Sequence, residues 1–234
     1  MKKLFVLFIA LALCIGIFVS SFFVPDTITA SSVKTDADEK VIIIDAGHGG
    51  IDGGASTDDG VPEKDINLKI SLYLDEYLRA FGYKTLLTRP DDNSLETEGA
   101  TIRAKKTSDL HYRMRLMEET DNALFVSIHQ NHFSVEKYYG TQVFYSPGKS
   151  DESSSLAQSI QSAVVDALQP ENHREIKECG NSVYLIYNAV KPAVLVECGF
   201  LSNKAEAEKL KTDEYQRKIA FCTAMGIINY LRNV

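Results

Sequence analysis

Short runs of apolar residues alternate along the chain with segments of helical periodicity. The first run covers residues 41–44, and the runs at 123–128 and 193–196 have the same character. Residues 84–88, which are more polar, are predicted to form a further strand. Continuous aliphatic runs of this length are typical of strands that are buried on both faces of a parallel sheet. They therefore predict the central strands of an α/β domain.

The segments between these runs carry apolar residues at helical spacing. In residues 66–81 the spacing is i, i+4, i+7, i+8, and Gly82 follows where helices commonly end. Further helices are predicted at about 109–120, 153–168, 203–211 and 213–232, and further strands at 140–146 and 183–186. This alternation predicts an α/β fold, a three-layer domain with a mostly parallel central sheet flanked by helices.

The N-terminal segment has a different composition from the rest of the chain. Two lysines precede an unbroken apolar run over residues 4–24, which is typical of an export signal. The run is also long enough to span a bilayer, for which roughly 20 residues are needed. We expect residues 1–30 to be a signal peptide or a membrane anchor, 31–40 a linker and 41–234 the folded domain. The protein is then exported and extracytoplasmic, either secreted or anchored at the membrane by residues 4–24.

Composition and charge narrow the classes of function. The chain has 234 residues, of which 44% are hydrophobic and 24% are charged, as expected for one globular domain with a full core. The formal net charge of −7 argues against a nucleic acid as partner. Cys179, Cys198 and Cys222 form no CxxC pair, so cysteine metal ligands are not expected.

Chemically reactive side chains stand at the ends of the predicted strands. His48 follows the first strand in a glycine-rich loop, His129 follows the third, and Glu197 follows the last. Glu63 stands at the start of the first helix, close to the first loop. Because the carboxyl ends of parallel strands meet at one edge of the sheet, we expect these side chains to share one cleft.

Each of these residues also has a purely structural interpretation. His48 fits a structural histidine in a glycine loop, Glu63 a first-turn acid favoured by the helix dipole, and Glu197 an ion pair at a strand end. Together, however, two imidazoles and a carboxylate with one open position make up a hydrolytic zinc site. A further carboxylate nearby can accept a proton from water. The sequence has no HExxH motif, so any ligands are dispersed.

Several motifs occur in a fixed order along the chain. These are DAGHGGIDGGA, a helix start with Glu63 and Asn67, LTRPDD, SIHQN and PAVLVECGFLSN. From about Val41 to the C-terminus they resemble the zinc-dependent N-acetylmuramoyl-L-alanine amidases of the amidase-3 type, which are cell-wall hydrolases. The resemblance implies that the substrate is peptidoglycan and that the cleaved bond joins N-acetylmuramic acid to the L-alanine of the stem peptide.

The resemblance also implies roles for individual residues. Zinc (Zn2+) is held by His48, Glu63 and His129, and Glu197 is the general base. Arg113 fits an arginine that the family carries upstream of SIH, and Asn131 follows His129, so both are expected to bind substrate. His132 is expected in the cleft wall rather than as a fourth ligand.

The SIHQN and VECGFLSN motifs resemble those of the family branch that acts on spore-cortex peptidoglycan. In that branch, stem peptides are removed before muramic-δ-lactam is made. The resemblance therefore implies a role in cortex or cell-wall remodelling.

Two other functions are open at this point. One is a thiol amidase that uses Cys198 with His129 or His48, although a thiol flanked by apolar residues and glycine also fits a buried, inert side chain. The other is a peptidoglycan-binding protein that is catalytically silent, or that needs an activating protein partner.

Overall fold

The computed structural model describes residues 40–95 and 98–234. The predicted signal or anchor (1–30) lies outside the described residues, as does the predicted linker up to residue 39. Both stay predictions. Within the part of the chain that the structure describes, no helix combines the length and the apolar character that crossing a membrane requires.

Strands and helices alternate through the described residues, and the strands form one six-stranded sheet in the order β2-β1-β3-β6-β4-β5. In chain order the elements are β1 (Val41–Ala46), α1 (Glu63–Ala80), β2 (Lys84–Leu87), α2 (Ile102–Glu119), β3 (Ala123–Asn131), β4 (Gln142–Tyr145), α3 (Ser150–Leu168), β5 (Lys177–Glu178), α4 (Tyr184–Tyr187), β6 (Ala193–Phe200), α5 (Lys204–Leu210) and α6 (Asp213–Arg232).

The sheet is mostly parallel, as predicted. β1 pairs in parallel with β2 and β3, and β3 pairs in parallel with β6. β4 runs antiparallel to β6, and β5 is parallel to β4. The parallel strands β1, β3 and β6 are neighbours in the centre of the sheet, so their carboxyl ends meet at one edge.

Two apolar clusters lie on opposite faces of the sheet. Ile42 and Ile44 of β1 pack in one cluster with the helices α1, α3 and α6, whereas Ile43 packs in the other with Met114 and Met117 of α2. Successive strand residues point to opposite faces, which is why every residue of this run is apolar. Burying each such side chain stabilises the fold by about 1.5–3 kcal/mol and holds the central strands rigid beneath the site.

The strands that carry the candidate site are longer than their apolar runs. β3 continues to Asn131 and β6 to Phe200, so His129 and Glu197 lie within strands rather than after them. The parallel register pairs His129 with Glu197 directly. Backbone pairing does not depend on side-chain polarity, so it extends past the point where the apolar pattern stops.

Two further predictions differ from the structure. The sequence predicts a strand at 183–186, but Tyr184–Tyr187 form helix α4, because a short apolar run does not distinguish the two. Helix α2 begins at Ile102, well before the predicted start at about 109. Its start is marked by Thr101, whose side chain accepts a hydrogen bond from the Ala104 amide at 3.1 Å.

Candidate metal centre

His48 lies in the loop after β1 and is oriented by an acidic neighbour. Its Nδ1 atom lies 2.9 Å from Asp52 Oδ2, and its Nε2 atom lies 3.3 Å from Glu63 Oε2. The Lys106 ammonium holds the other oxygen of Asp52 at 2.7 Å. A carboxylate on one ring nitrogen fixes the tautomer and directs the other nitrogen toward the cluster, as outer-sphere acids do in metal sites.

Glu63 is the first residue of α1 and is almost fully buried, with 3% of its surface exposed. Its Oε1 atom accepts hydrogen bonds from the Gln130 amide and the Asn67 side chain, both at 3.1 Å. Its Oε2 atom accepts one from the Ala55 amide at 3.0 Å. A buried carboxylate needs such partners, and these fix its position between the two histidines.

His129 completes a cluster of three potential ligands. Its Nδ1 atom lies 2.9 Å from Glu63 Oε1, and its ring centroid is 4.8 Å from that of His48. One ligand atom from each of His48, Glu63 and His129 lies within 4.8 Å of the other two. Two imidazoles and a carboxylate are a donor set that zinc accepts, with one coordination position left over. The residues therefore fit a catalytic zinc ion.

The glycines around His48 leave room for this cluster. A Cβ atom on Gly47 would lie 2.2 Å from His129 Nε2, and one on Gly54 would lie 2.6 Å from Glu63 Oε2. His48 itself adopts a left-handed backbone conformation with φ of 60°. The glycine-rich loop is thus needed for the close approach of backbone to the ligands.

Two buried arginines hold the backbone of the same loop. Arg113 donates to the Ala46 carbonyl at 2.9 Å and to the His48 carbonyl at 2.7 Å, and it also pairs with the buried Asp45. Arg89 donates to the Ala46 carbonyl at 2.9 Å and to the Gly47 carbonyl at 3.1 Å. These hydrogen bonds hold the backbone carbonyls of residues 46, 47 and 48, and so fix the position of His48.

Glu197 of β6 is adjacent to His129 on the neighbouring strand. Its Oε2 atom is buried and has no hydrogen-bond partner among the described residues. Burial raises the pKa of this carboxyl to about 7; the charge of Glu63 also raises it, and the charges of His129 and His48 partly offset the rise. A carboxylate with an unused, buried oxygen beside a metal cluster is well suited to accept a proton.

Comparison with known proteins decides the family. The family profile described as N-acetylmuramoyl-L-alanine amidase, the amidase-3 family, matches residues 42–229. The chain belongs to this family. The predicted enzyme class, a peptidoglycan amidase, is thereby confirmed. Amidases of this family are generally zinc-dependent, which agrees with a cluster that could hold a metal ion.

The amidase has relatives of similar length. The germination-specific N-acetylmuramoyl-L-alanine amidase of Bacillus subtilis (strain 168) is 36% identical over 192 residues, which cover 82% of this chain and 79% of that protein. The structure of the CwlD amidase from Clostridioides difficile, in complex with the GerS lipoprotein, is 42% identical with a TM-score of 0.80, and the match covers 84% of this chain and 100% of that one. The catalytic domain of CwlV from Bacillus (Paenibacillus) polymyxa is 31% identical with a TM-score of 0.68, over 82% of this chain and 98% of that one.

The two predicted substrate-binding residues of the amidase lie in different surroundings. Asn131 is half-buried at the end of β3, where its carbonyl accepts a hydrogen bond from the Leu201 amide at 2.8 Å. Arg113 is only 2% exposed, and its guanidinium is bound to the loop and to Asp45. Substrate binding by either stays a prediction, and the contacts of Arg113 support a positioning role. His132 is exposed.

Cys198 does not have the properties of a nucleophile. It is fully buried, and burial together with the charge of Glu197 holds its pKa far above the usual range. A catalytic thiol needs the opposite, a lowered pKa and access to substrate. This geometry argues against the thiol-amidase alternative.

Several residues support the amidase site although the sequence analysis assigned them no role. Asp52 and Asn67 lie four residues after His48 and Glu63 respectively, and Gln130 directly follows His129. Asn67 also accepts a hydrogen bond from Gln130 at 3.1 Å. On a helix the i, i+4 spacing of Glu63 and Asn67 places both on one face, which was an available signal. Arg89 belongs to the LTRPDD motif, but its position there predicts no role.

The charges at the metal-free site predict how zinc binding depends on pH. Burial alone would lower the pKa of His48, but the hydrogen bonds and charges of Asp52 and Glu63 outweigh it and raise the pKa to about 9. Burial would raise the pKa of Glu63, but the hydrogen bonds and charges of His129 and His48 hold it well below its usual range. At pH 7 the metal-free site therefore carries a protonated His48 beside an ionised Glu63.

Zinc binding is consequently expected to release a proton from His48, because a coordinating imidazole must be neutral. The zinc affinity should rise about tenfold per pH unit from pH 7 and level off above about pH 9. Competition titrations with a chelator across this range measure it. In Asp52→Asn the dependence should weaken and shift to lower pH, whereas an affinity that is constant from pH 7 to 9 would contradict the assignment.

Substituting Gly47 by alanine is expected to disrupt the metal centre. The added methyl group would overlap the His129 ring and push it away, which should lower zinc affinity by about 10- to 100-fold and stability by about 1–3 kcal/mol. Zinc competition and thermal unfolding measure these effects. Gly180→Ala is the control, since its Cβ would meet no atom within 4 Å. Equal zinc affinity in both variants would contradict the prediction.

Proposed function

We propose that this amidase hydrolyses the amide between the lactyl group of N-acetylmuramic acid and the L-alanine of the stem peptide, using zinc bound by His48, Glu63 and His129. The observation that supports it most strongly is the convergence of these side chains from the loop after β1, from α1 and from β3. The membership in the amidase-3 family supports the same bond.

In the proposed mechanism each protein group has a separate task. When bound, zinc supplies Lewis-acid chemistry, which polarises an amide carbonyl and lowers the pKa of a water molecule. Glu197 accepts the proton as the water oxygen adds to the lactyl carbonyl carbon. It then donates this proton to the alanine nitrogen as the carbon–nitrogen bond breaks. The products are a muramic acid with a free lactyl carboxylate and a peptide with a free N-terminal amine.

This reaction is tested by mass analysis of the fragments. Peptidoglycan incubated with the zinc-loaded protein should yield free stem peptides that begin with L-alanine, together with glycan that has lost them. A chelator should abolish the release, and added zinc should restore it. Cleavage within the peptide or between sugars, or no cleavage at all, would contradict the proposal.

We further propose that the substrate is spore-cortex peptidoglycan. The proposal is supported by similarity to a germination-specific amidase at 36% identity and to the CwlD amidase at 42% identity. Cortex from spores that lack this protein should then contain no muramic-δ-lactam. A cortex with normal muramic-δ-lactam content would contradict the role.

An activating protein partner and export are part of the same proposal. The CwlD amidase was solved in complex with the GerS lipoprotein, which supports a partner for this chain as well. Release of stem peptides should then increase when the partner is added, with zinc supplied in excess to separate activation from metal loading.

Family membership among wall amidases and the apolar run at residues 4–24 support an extracytoplasmic location, secreted or anchored. Fractionation of cells that express the full chain tests it.

A further inference from the structure

A cavity of about 190 Å³ opens beside the metal centre, between the loop after β1 and helix α2. His48 and His129 line it on the side of the metal cluster, and Lys105 lines it from α2. Leu110 and Leu185 also line the cavity and make part of its wall apolar. A substrate whose scissile bond lies at the cluster therefore has a groove with an apolar wall and a cationic side chain next to it.

The two lysines of this groove have different roles. The Lys106 ammonium is bound to Asp52 at 2.7 Å, and Asp52 in turn holds His48, so Lys106 belongs to the metal centre. The Lys105 side chain, in contrast, makes no hydrogen bond or ion pair with any residue in the ranges 40–95 and 98–234. Lys105 is the half-buried cation of the groove that remains available for a ligand.

None of the acids that line the groove forms an ion pair with Lys105. Asp45 is bound to Arg113, Thr88 and Ser127. Asp109 accepts from the Arg113 guanidinium at 2.7 Å and from the Leu95 amide at 2.8 Å. With Asp52 bound to His48 and Lys106, each acid that lines the cavity already has a cationic partner.

We propose that Lys105 binds a carboxylate of the stem peptide and that this groove is the subsite for the peptide side of the scissile bond. The inference rests on the proposed function. In a stem peptide the residue after L-alanine is a γ-linked D-glutamate, whose α-carboxylate is the first anion beyond the bond that is cut. One residue spans about 3.8 Å, so this carboxylate must lie close to the metal centre when the amide is in place. A flexible ammonium is suited to such a single anionic group.

The proposal predicts a preference for a charged substrate. The wild-type amidase should cleave two muramoyl peptides at different rates, one with D-glutamate and one in which this residue is amidated to D-isoglutamine. Its kcat/KM should be about tenfold higher for the D-glutamate peptide, because a hydrogen bond between charged groups is stronger than one to a neutral amide. In Lys105→Gln the preference should disappear, through a higher KM for the charged substrate and little change in kcat. Lys105→Arg keeps the charge and should keep most of the preference.

Arg103→Gln is the matched control. It removes the same charge from the same helix, but Arg103 does not line the cavity. Binding of the peptide product, a stem peptide that begins with L-alanyl-γ-D-glutamyl and continues with a third residue, is measured by calorimetry. It should weaken about tenfold in Lys105→Gln and remain unchanged in Arg103→Gln.

The outcomes separate the subsite from the proposed function. A wild-type enzyme that releases stem peptides but does not distinguish the two substrates would overturn the subsite and leave the amidase function intact. So would a preference that persists in Lys105→Gln, or one that is lost equally in Arg103→Gln. A zinc-loaded wild-type protein that cleaves neither substrate would overturn the function and the subsite together.

Discussion

Glu197→Gln is expected to reduce kcat by about 10²- to 10⁴-fold, the range typical of a lost general base, while zinc binding is retained. The side chain of Glu197 is adjacent to the cluster because Glu197 pairs with His129 in the sheet, but it is not one of the three residues that could hold the metal. Glutamine has the same shape and removes the ability to accept a proton. The loss should therefore appear in turnover rather than in metal content.

The folded state should tolerate this substitution. The Oε2 atom of Glu197 is buried without a partner among the described residues, and burial already disfavours its charged form. A neutral amide at this position should not lower the free energy of unfolding by more than about 1–2 kcal/mol. Release of stem peptides and zinc content by mass spectrometry are the two readouts. Glu178→Gln, at an exposed position in β5, is the control, and turnover within a few-fold of wild type in Glu197→Gln would refute the assignment.

His129→Ala is expected to have the largest effect, loss of both zinc and activity. The substitution leaves His48 and Glu63, and a catalytic zinc site normally needs three protein ligands. It also removes the imidazole 2.9 Å from Glu63, which leaves a buried carboxylate with fewer partners. We expect zinc occupancy of the purified variant to fall to a small fraction of that of wild type, and stem-peptide release to become undetectable.

His132→Ala is the matched control for this experiment. His132 follows β3 directly and is exposed, so its removal tests for a general effect of losing a histidine near the site. Wild-type zinc content and activity are expected. If His129→Ala retained full zinc occupancy, His129 would not be a ligand. If His132→Ala lost zinc as well, the loss in His129→Ala would not identify His129 as the ligand.

The aliphatic runs of the sequence are sufficient to predict the central part of the fold. The runs at 41–44, 123–128 and 193–196 form the parallel strands β1, β3 and β6, because a strand buried on both faces must be apolar at every position. The polar residues that follow these runs lie at one edge of the sheet, as predicted. His48 and His129 can be grouped from the sequence for this reason, and Glu63 because its helix starts close to the first loop. The fold brings the three together.

Residues that act through the backbone could not be predicted in the same way. Arg89 and Arg113 donate hydrogen bonds to the backbone carbonyls of residues 46–48. No sequence pattern predicts such contacts, because they join residues that are far apart in the chain. The strand prediction for the short helix α4 is wrong because its few apolar residues fit the two-residue period of a strand as well as the helical period of about 3.6 residues. The predicted ends of β3 and β6 are too early because the apolar pattern reports burial, whereas strand length is set by backbone pairing.

The central claim is that side chains from the loop after β1, from α1 and from β3 hold one divalent ion together. A crystal structure of the zinc-loaded protein, with anomalous scattering recorded on both sides of the zinc absorption edge, tests it most directly. The account predicts a single strong zinc peak within coordination distance of His48, Glu63 and His129, about 2.0–2.2 Å from each ligand atom. A peak elsewhere in the fold, or a zinc ion that contacts fewer than these three side chains, would contradict it.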